Sequence, residues 1–312
     1  MSGWRPANGI DVARRRARLL ARIRDYFDKR AVLEVSTPTL APGTVTDPNI
    51  ESIAVGERYL QTSPEYYMKR MLADGFPDIY SIAPAFRDGE AGKRHRPEFT
   101  LVEWYRRDFG LDDIVTDTIG LIAHALDRPA LKDTVIRCDY AKAFKEVLKI
   151  DPRGAKVAAL ADIAGADARL RQTMGGRRDG WLDLLFATRI ARGFPKDRLT
   201  VVSHFPASQA ALARLCPRDD SVADRFEVFC GPIELANGYV ELTDADEQSE
   251  RMDRDIEIRA TYKRRSVPRD ERLIEALRAG LPPCAGVALG LERLHMIDAG
   301  TNDINDVVSF SE

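Results

Sequence analysis

FRDGEAGKRHRPEFTLVEWYRRDF, residues 86–109, has the layout of an antiparallel hairpin: two runs rich in β-branched, aliphatic and aromatic residues, near 79–86 and 98–106, flank a turn bearing Gly and Pro. The turn, 89–97, holds Lys93, Arg94, His95 and Arg96, and the return strand sets Glu103 among aromatics. A side-chain period of two puts Phe99, Leu101, Glu103 and Tyr105 on one face. A carboxylate buried on such a half-apolar face needs a cation or holds its proton to higher pH. Two partners are open: an internal arginine, which leaves the hairpin purely structural, or an ammonium group on a substrate. The turn cations can close over a polyanion, with Arg87 at the end of the first strand within reach, because a guanidinium offers phosphate two parallel donors. Phe99 offers a stacking surface for a purine. A cationic turn is also commonly just solvated.

Two further segments bear on that choice. FEVFCGPIELANGYVELTDADEQSERM, residues 226–252, puts Glu227 and Glu234 on neighbouring extended pieces across the Gly231-Pro232 turn, with Asn237, Tyr239 and Glu241 on one strand face. Paired carboxylates beside a triphosphate are what Mg²⁺ requires, since it binds through one or two carboxylates plus phosphate oxygens. CAGVALGLERLHMI, residues 284–297, alternates Gly286, Ala288 and Gly290 on one face, so a flat ligand can approach the backbone, and Arg293 projects from the first turn of the helix after it. Taken singly, strand acids are more often surface solvation, and strand glycines close packing.

The chain of 312 residues is 44% apolar, enough for one large domain or two modest ones. Its 47 basic and 49 acidic residues leave a net charge of −2, so no bulk positive field draws nucleic acid. The arginines of 14–24 lie in an amphipathic helical pattern with Leu19, Leu20, Ile23, Tyr26 and Phe27, and read as a solvated helix face. Cys138, Cys216, Cys230 and Cys284 form no CxxC, which argues against a zinc cage or disulfide framework and fits a reducing cytoplasm. No leader and no membrane-length apolar run is apparent.

Along the chain a first helix is expected over 12–30, an extended piece at 32–35, a loop over 40–52 and another extended piece at 60–62. Ser63-Pro64-Glu65 then starts a helix: a cap, a first-turn proline and a dipole-complementing acid. Residues 111–224 read as mostly helical, for example 183–192, with a strand at 199–203. Strands are expected at 225–230, 233–236 and 238–242, a charged helix over 245–265, a strand at 284–289 and a helix from 291. Clusters of antiparallel strands with helices between them indicate an α+β fold.

Together these segments resemble class II aminoacyl-tRNA synthetases, specifically the lysyl-tRNA synthetase group, over nearly the whole chain. FRDGE…RHRPEF…EWY is similar to motif 2, GVALGLERL to motif 3, and residues 13–38 to the motif 1 helix and strand that form the dimer interface; SPEYYMKRML and ELANGYVELTDADEQSER match the lysine-type subgroup. The resemblance implies an antiparallel sheet flanked by helices in one catalytic domain over 1–312, acting as a homodimer with ATP and Mg²⁺. It implies that Arg87 contacts the ATP α-phosphate, Phe99 stacks on adenine, Arg293 meets the γ-phosphate and the other face of the base, and Glu227 and Glu234 hold Mg²⁺. Asp88, Gly89, Glu90, His95, Arg96, Leu235 and Gly290 complete the nucleotide site. Ser63, Pro64, Glu65, Glu103, Tyr105, Asn237, Tyr239, Glu241 and Ala288 form the amino-acid pocket, where carboxylates receive the two ammonium groups of a diamino acid. Ala288 stands where lysyl-tRNA synthetases usually have glycine. Two positions depart from the family: Arg96 replaces the asparagine of RHNPEF, leaving one ATP contact open, and Gly89 stands where many members have an adenine-contacting glutamate, a role that passes to Glu90.

Lysyl-tRNA synthetases carry an N-terminal anticodon-binding domain, for which this chain shows no counterpart, so tRNA is not the expected acceptor. The short form is similar to the synthetase paralogues that attach (R)-β-lysine to a lysine side chain of elongation factor P. The alternatives are a lysine ligase acting on tRNA or another acceptor, and a non-catalytic amino-acid sensor. No side chain stands out as general base; His124, His204 and His295 read as structural or surface residues.

Overall fold

The computed structural model describes residues 4–311. Helix α1 (Ile10–Asp28) leads to β1 (Leu33–Glu34), and β2 (Leu40–Ala41), within the predicted loop, forms a small separate sheet with β3 (Ala54–Val55) and β4 (Arg58–Leu60) just beyond it. After α2 (Glu65–Ala73) comes the hairpin β5 (Ile79–Phe86) and β6 (Glu98–Arg107), paired from Ile79↔Tyr105 to Phe86↔Glu98. Next in the chain are helix α3 (Leu111–Ala125), β7 (Ile136–Asp139), α4 (Tyr140–Leu148), α5 (Val157–Ile163), α6 (Ala168–Met174) and α7 (Arg178–Leu185). Then come β8 (Leu199–Pro206), β9 (Leu215–Cys216), β10 (Asp219–Cys230), β11 (Ile233–Val240), α8 (Ala245–Thr261), α9 (Glu271–Gly280), β12 (Cys284–Gly290) and α10 (Leu291–Ala299).

The main sheet has nine strands in the order β1-β5-β6-β12-β11-β10-β8-β7, with β9 against β10. It is antiparallel except at its two ends, where β1 joins β5 and β7 joins β8 in parallel. This is the α+β, mainly antiparallel architecture expected of the class II synthetase likeness. Among the described residues no helix is long and apolar enough to cross a membrane.

One face of the sheet is covered by α1 and α3. Leu19, Ile23 and Phe27 of α1 join Ile114, Leu121 and Ile122 of α3 in a core with Val102, Trp104, Phe226, Val228, Val287 and Leu289 from the strands. Phe27 stacks on Tyr80 with ring centroids 4.2 Å apart. Most α1 arginines point outward to surface acids, as Arg14 does to Asp11 and Arg22 to Asp127. Arg16 turns inward and donates to Thr100 Oγ1 at 2.8 Å. A second apolar cluster seats α4, α5 and α7 on β8 and β10 through Phe144, Leu160, Trp181, Phe186, Phe205 and Phe229. The opposite face of β6, β12 and β11 carries the polar groups.

Several elements differ from expectation. The helical stretch predicted for 111–224 is broken by β7 and ends with a 3₁₀ turn at Ala191–Gly193; β8 falls where a strand was expected, but β9 and the start of β10 take the place of helix. Exposed Asp219, Asp220 and Ser221 hid that strand, because they show no apolar alternation. Strand β11 runs unbroken through Asn237, an unfavourable strand residue whose Oδ1 here accepts from Arg225 Nε at 3.1 Å. Helix α8 stops at Thr261, not 265, and α9 went unassigned although Asp270 caps it by accepting from Leu273 N and it buries Leu273, Ile274 and Leu277.

A bulge in β11 decides which way Glu234 faces. Val228 pairs with Ala236 but Phe229 pairs with Glu234, so Leu235 is the extra residue. Leu235 and Ala236 both join the core, and Glu234 is returned to the same face as Asn237 and Glu227. Strict alternation would have put Glu234 among the core residues.

Gly238 fixes the contact of β11 with β12: a Cβ there would stand 2.7 Å from Gly286 O and 2.8 Å from both Phe226 Cε1 and Val287 Cγ2. We expect Gly238→Ala to destabilise the protein by about 1–3 kcal/mol through overpacking, read as a lowered urea midpoint with an unchanged m-value.

Candidate active site

The polar face of the sheet holds a cleft and, beside it, a buried cluster of acids and hydroxyls, called the slot below. The cleft lies between the 89–97 turn, α10 and strands β6, β11 and β12. Of the residues expected around a nucleotide, Arg87, Glu90, His95, Arg96, Phe99, Glu234, Leu235, Gly290 and Arg293 line it, with Asn237 and Ala288 also in its wall. Asp88 and Gly89 are not in that wall: Asp88 N donates to Glu51 O at 2.8 Å, and Gly89 takes a left-handed φ of +74° that turns the chain. Arg94, Leu101, Glu292 and Ile304 line the cleft without having been expected. Glu292 accepts from Thr100 N at 2.8 Å and from Arg16 at 3.3 Å, tying α1, β6 and α10 together.

Arg293 is held at four points. Its Nη1 donates to Glu234 O and Oε2 (3.1 and 3.2 Å), its Nε faces Arg94 O at 3.4 Å, and its Nη2 donates to His95 Nε2 at 2.8 Å. Burial, reinforced by the Arg293 charge, lowers the His95 pKa, so the ring is neutral and can accept that bond. Arg87 lies over the Phe99 ring, Cζ 5.1 Å from its centroid, and Nη1 is 3.6 Å from Glu90. Its Nε is buried with no partner, a donor aimed at nothing in the protein. One face of Phe99 is therefore already covered by the guanidinium. Arg96 donates to Asn305 Oδ1 at 3.0 Å, which gives the departure from the family pattern a partner within the chain.

Glu227 and Glu234 share a face through the bulge, but each is engaged. Arg225 Nη2 donates to Glu227 Oε1 at 2.7 Å, while Glu234 is bound by Arg293. Burial, and after it the neighbouring charge of Glu234, raise the Glu227 pKa to about 8. Arg225 also bridges to Asn237, and neither this arginine nor its role was foreseen.

The slot lies deeper, between α2 and strands β6, β11 and β12. Ser63 Oγ accepts from Glu65 N (3.0 Å) just ahead of α2, where Pro64 stands at the helix head, and donates to Glu103 Oε2 (2.8 Å). Tyr105 OH donates to Glu103 Oε1 at 2.8 Å, and Tyr239 OH to Glu65 Oε1 at 2.9 Å. Ala288 pairs in register with Glu103 on one side and Asn237 on the other, so its methyl group lies between them. Gly286 is obligatory beside it, because a Cβ there would collide with Tyr105 and Glu241. Among the described residues no cation pairs with Glu103: it accepts from two hydroxyls, and the internal-arginine alternative does not apply. Burial raises the pKa of Glu103, and likewise of Glu241, to about 8.

Glu65 and Glu241 do have a cation, Lys69, which sequence reasoning missed. Its Nζ is 2.7 Å from Glu65 Oε1 and 2.5 Å from Glu241 Oε2, and the side chain is 2% exposed. The signal was present: Lys69 stands four residues after Glu65 on the side of α2 that also buries Met68 and Leu72. Away from the site, His124 contacts Asp25, His204 contacts Asp139, and His295 is buried in α10.

The family described as tRNA synthetases class II (D, K and N) matches residues 5–312. The chain is also 41% identical, over 99% of its length and 98% of the other protein, to the elongation factor P–(R)-β-lysine ligase of Photorhabdus laumondii.

The slot's acids make stability pH-dependent. Glu103 keeps its proton to about pH 8 when folded and to about 4.5 when free in solution, so between those values the unfolded chain has released a proton the native state retains. Stability contributed by this group therefore falls as pH rises from about 4.5 to 8 and is flat above. Glu103→Gln should flatten part of that slope and raise the melting temperature most at pH 8 and above, read by thermal denaturation from pH 5 to 9.

Proposed function

Because the chain belongs to the class II tRNA synthetases of the D, K and N type, we propose that it is an ATP-dependent, AMP-forming ligase that activates a β-lysine-type diamino acid and passes it to a lysine side chain of elongation factor P. The observation that carries this reading is the pairing of two sites: a cleft with Arg87 and Arg293 for a polyphosphate, and a slot holding Glu65, Glu103 and Glu241 against the single cation Lys69. The excess of buried acid suits a substrate with two ammonium groups. The name of the Photorhabdus relative supplies the acceptor.

In this reading the diamino acid's ammonium groups lie in the slot and its carboxylate is presented toward the cleft. There it attacks the α-phosphorus of ATP in line, forming the acyl–phosphate bond and releasing pyrophosphate. Arg87, with a buried donor unfilled, receives charge at the α-phosphate, and Arg293 receives it at the leaving group, so catalysis is positioning and electrostatic stabilisation. Neutral His95 and Glu234 keep Arg293 oriented until a phosphate competes for it. In the second step the neutral amine of the acceptor lysine attacks the carbonyl of the adenylate, forms an amide and expels AMP.

Glu227 and Glu234 fit Mg²⁺: they are two acids on one face, all-oxygen donors of the kind a hard cation takes. When bound, that ion supplies charge neutralisation on the polyphosphate. Arg225 would hold Glu227 in place for it. The net charge of −2 supports a protein acceptor over tRNA. We also read the enzyme as a cytoplasmic homodimer, joined along α1 and the edge strand β1, where Ile10 and Leu33 are 64% and 47% exposed.

The test is ATP–pyrophosphate exchange across a panel of amino acids, followed by mass spectrometry of elongation factor P. Exchange with (R)-β-lysine and the gain of one lysyl mass on elongation factor P are expected; exchange with no diamino acid overturns the reading. Arg87→Ala should lower exchange by about 100-fold or more. Ala288→Gly, which removes the methyl between Glu103 and Asn237, should shift the kcat/KM ratio of β- to α-lysine about 10-fold toward α-lysine.

A further inference from the structure

Lys69 is buried to 2% exposure and has no part in either half-reaction. Its ammonium sits between Glu65 Oε1 and Glu241 Oε2, at 2.7 and 2.5 Å, and 5.7 Å from the centre of the Tyr239 ring. A lone ammonium in a dry interior is strongly disfavoured, and so is a cluster of three unpaired carboxylates. Each therefore requires the other. With all three acids ionised, Glu65, Glu103 and Glu241 set three negative groups against the one positive group of Lys69, so two further cations, or two retained protons in the empty slot, complete the balance. Two acceptor positions are correspondingly free of cations. Glu103 meets only the hydroxyls of Ser63 and Tyr105, and Glu241 Oε1 is buried with no hydrogen-bond partner at all.

We propose that Lys69 is the specificity-setting residue of the slot: it fills one of three ammonium seats from within, holds Glu65 and Glu241 in place, and thereby fixes the positive charge demanded of the substrate at two. This rests on the reading of the substrate as a diamino acid. A substrate with one ammonium group leaves one buried acid to keep its proton with no cation to receive; one with two closes the count. Without Lys69, Glu65 and Glu241 repel each other and the slot is short by three. Lys69 acts through those acids, as a positioning residue, and touches no reacting atom.

Lys69→Met keeps the stem length and removes the charge; Lys69→Ala leaves room for a small amine. In pyrophosphate exchange by the full-length enzyme, Lys69→Met should raise the KM of the diamino acid 10-fold or more with the KM of ATP within twofold. In Lys69→Ala, millimolar propylammonium should recover at least part of the lost amino-acid affinity, whereas tetramethylammonium at equal ionic strength should not. An unchanged amino-acid KM in Lys69→Met, an equal rise in both KM values, or equal recovery by either salt overturns the role of Lys69. If the wild-type enzyme exchanges with no diamino acid, it is the functional reading that falls; if it does exchange and the variants behave in one of these three ways, only the Lys69 assignment falls.

Discussion

Everything at this site depends on the registration of three antiparallel strands, β6, β12 and β11. Because each strand alternates its side chains, pairing Glu103 with Ala288 and Ala288 with Asn237 sorts an entire polar set onto one face and Val102, Trp104, Val287 and Leu289 onto the other. A slip of one residue would bury the acids against α1 and α3 and present the core to ligand. The middle strand must be thin for this to work. Gly286 lets Tyr105 and Glu241 meet over it, and Gly238 lets β11 lie close to it.

That sorting creates an energetic problem, which the protein meets differently in its two sites. In the cleft, arginines and acids are present together and satisfy one another: Arg293 with Glu234, Arg225 with Glu227. Such pairs hold geometry until a ligand competes for them. In the slot the balance is uneven, and burial pushes Glu103 and Glu241 toward their protonated forms. The unliganded enzyme near neutral pH thus keeps protons where ammonium groups would go. Discrimination among ligands then comes from the cost of leaving a buried acid unpaired rather than from the strength of any one contact.

The hairpin was legible because its two strands alternate over long runs and its turn contains Gly and Pro; both strands fall within a residue of expectation. β12 and α10 were legible for a similar reason, a run of small and apolar residues ending at Gly290. The cleft residues Arg87 and Arg293 were named because their motifs are local in sequence. What the sequence concealed was non-local. The β11 bulge, which reverses the face of Glu234, depends on how β10 pairs with it and breaks the period on which face assignments rest. Lys69 looked like one more helix lysine until Glu241, far along the chain, was brought against it. Arg225 was hidden for a related reason: Glu227 is two residues along the same strand, but Asn237 of β11 and Gln209, in the 3₁₀ turn Ala207–Gln209 after β8, meet it only in the folded sheet.

The turn over the cleft is moored to a distant part of the chain. Ile304 N donates to Lys93 O at 2.8 Å and Arg96 reaches Asn305, both partners lying beyond α10. The loop's position is therefore not set by its own hairpin alone: a change confined to residues 304–305 would free the roof of the cleft while leaving every strand pairing of the sheet in place.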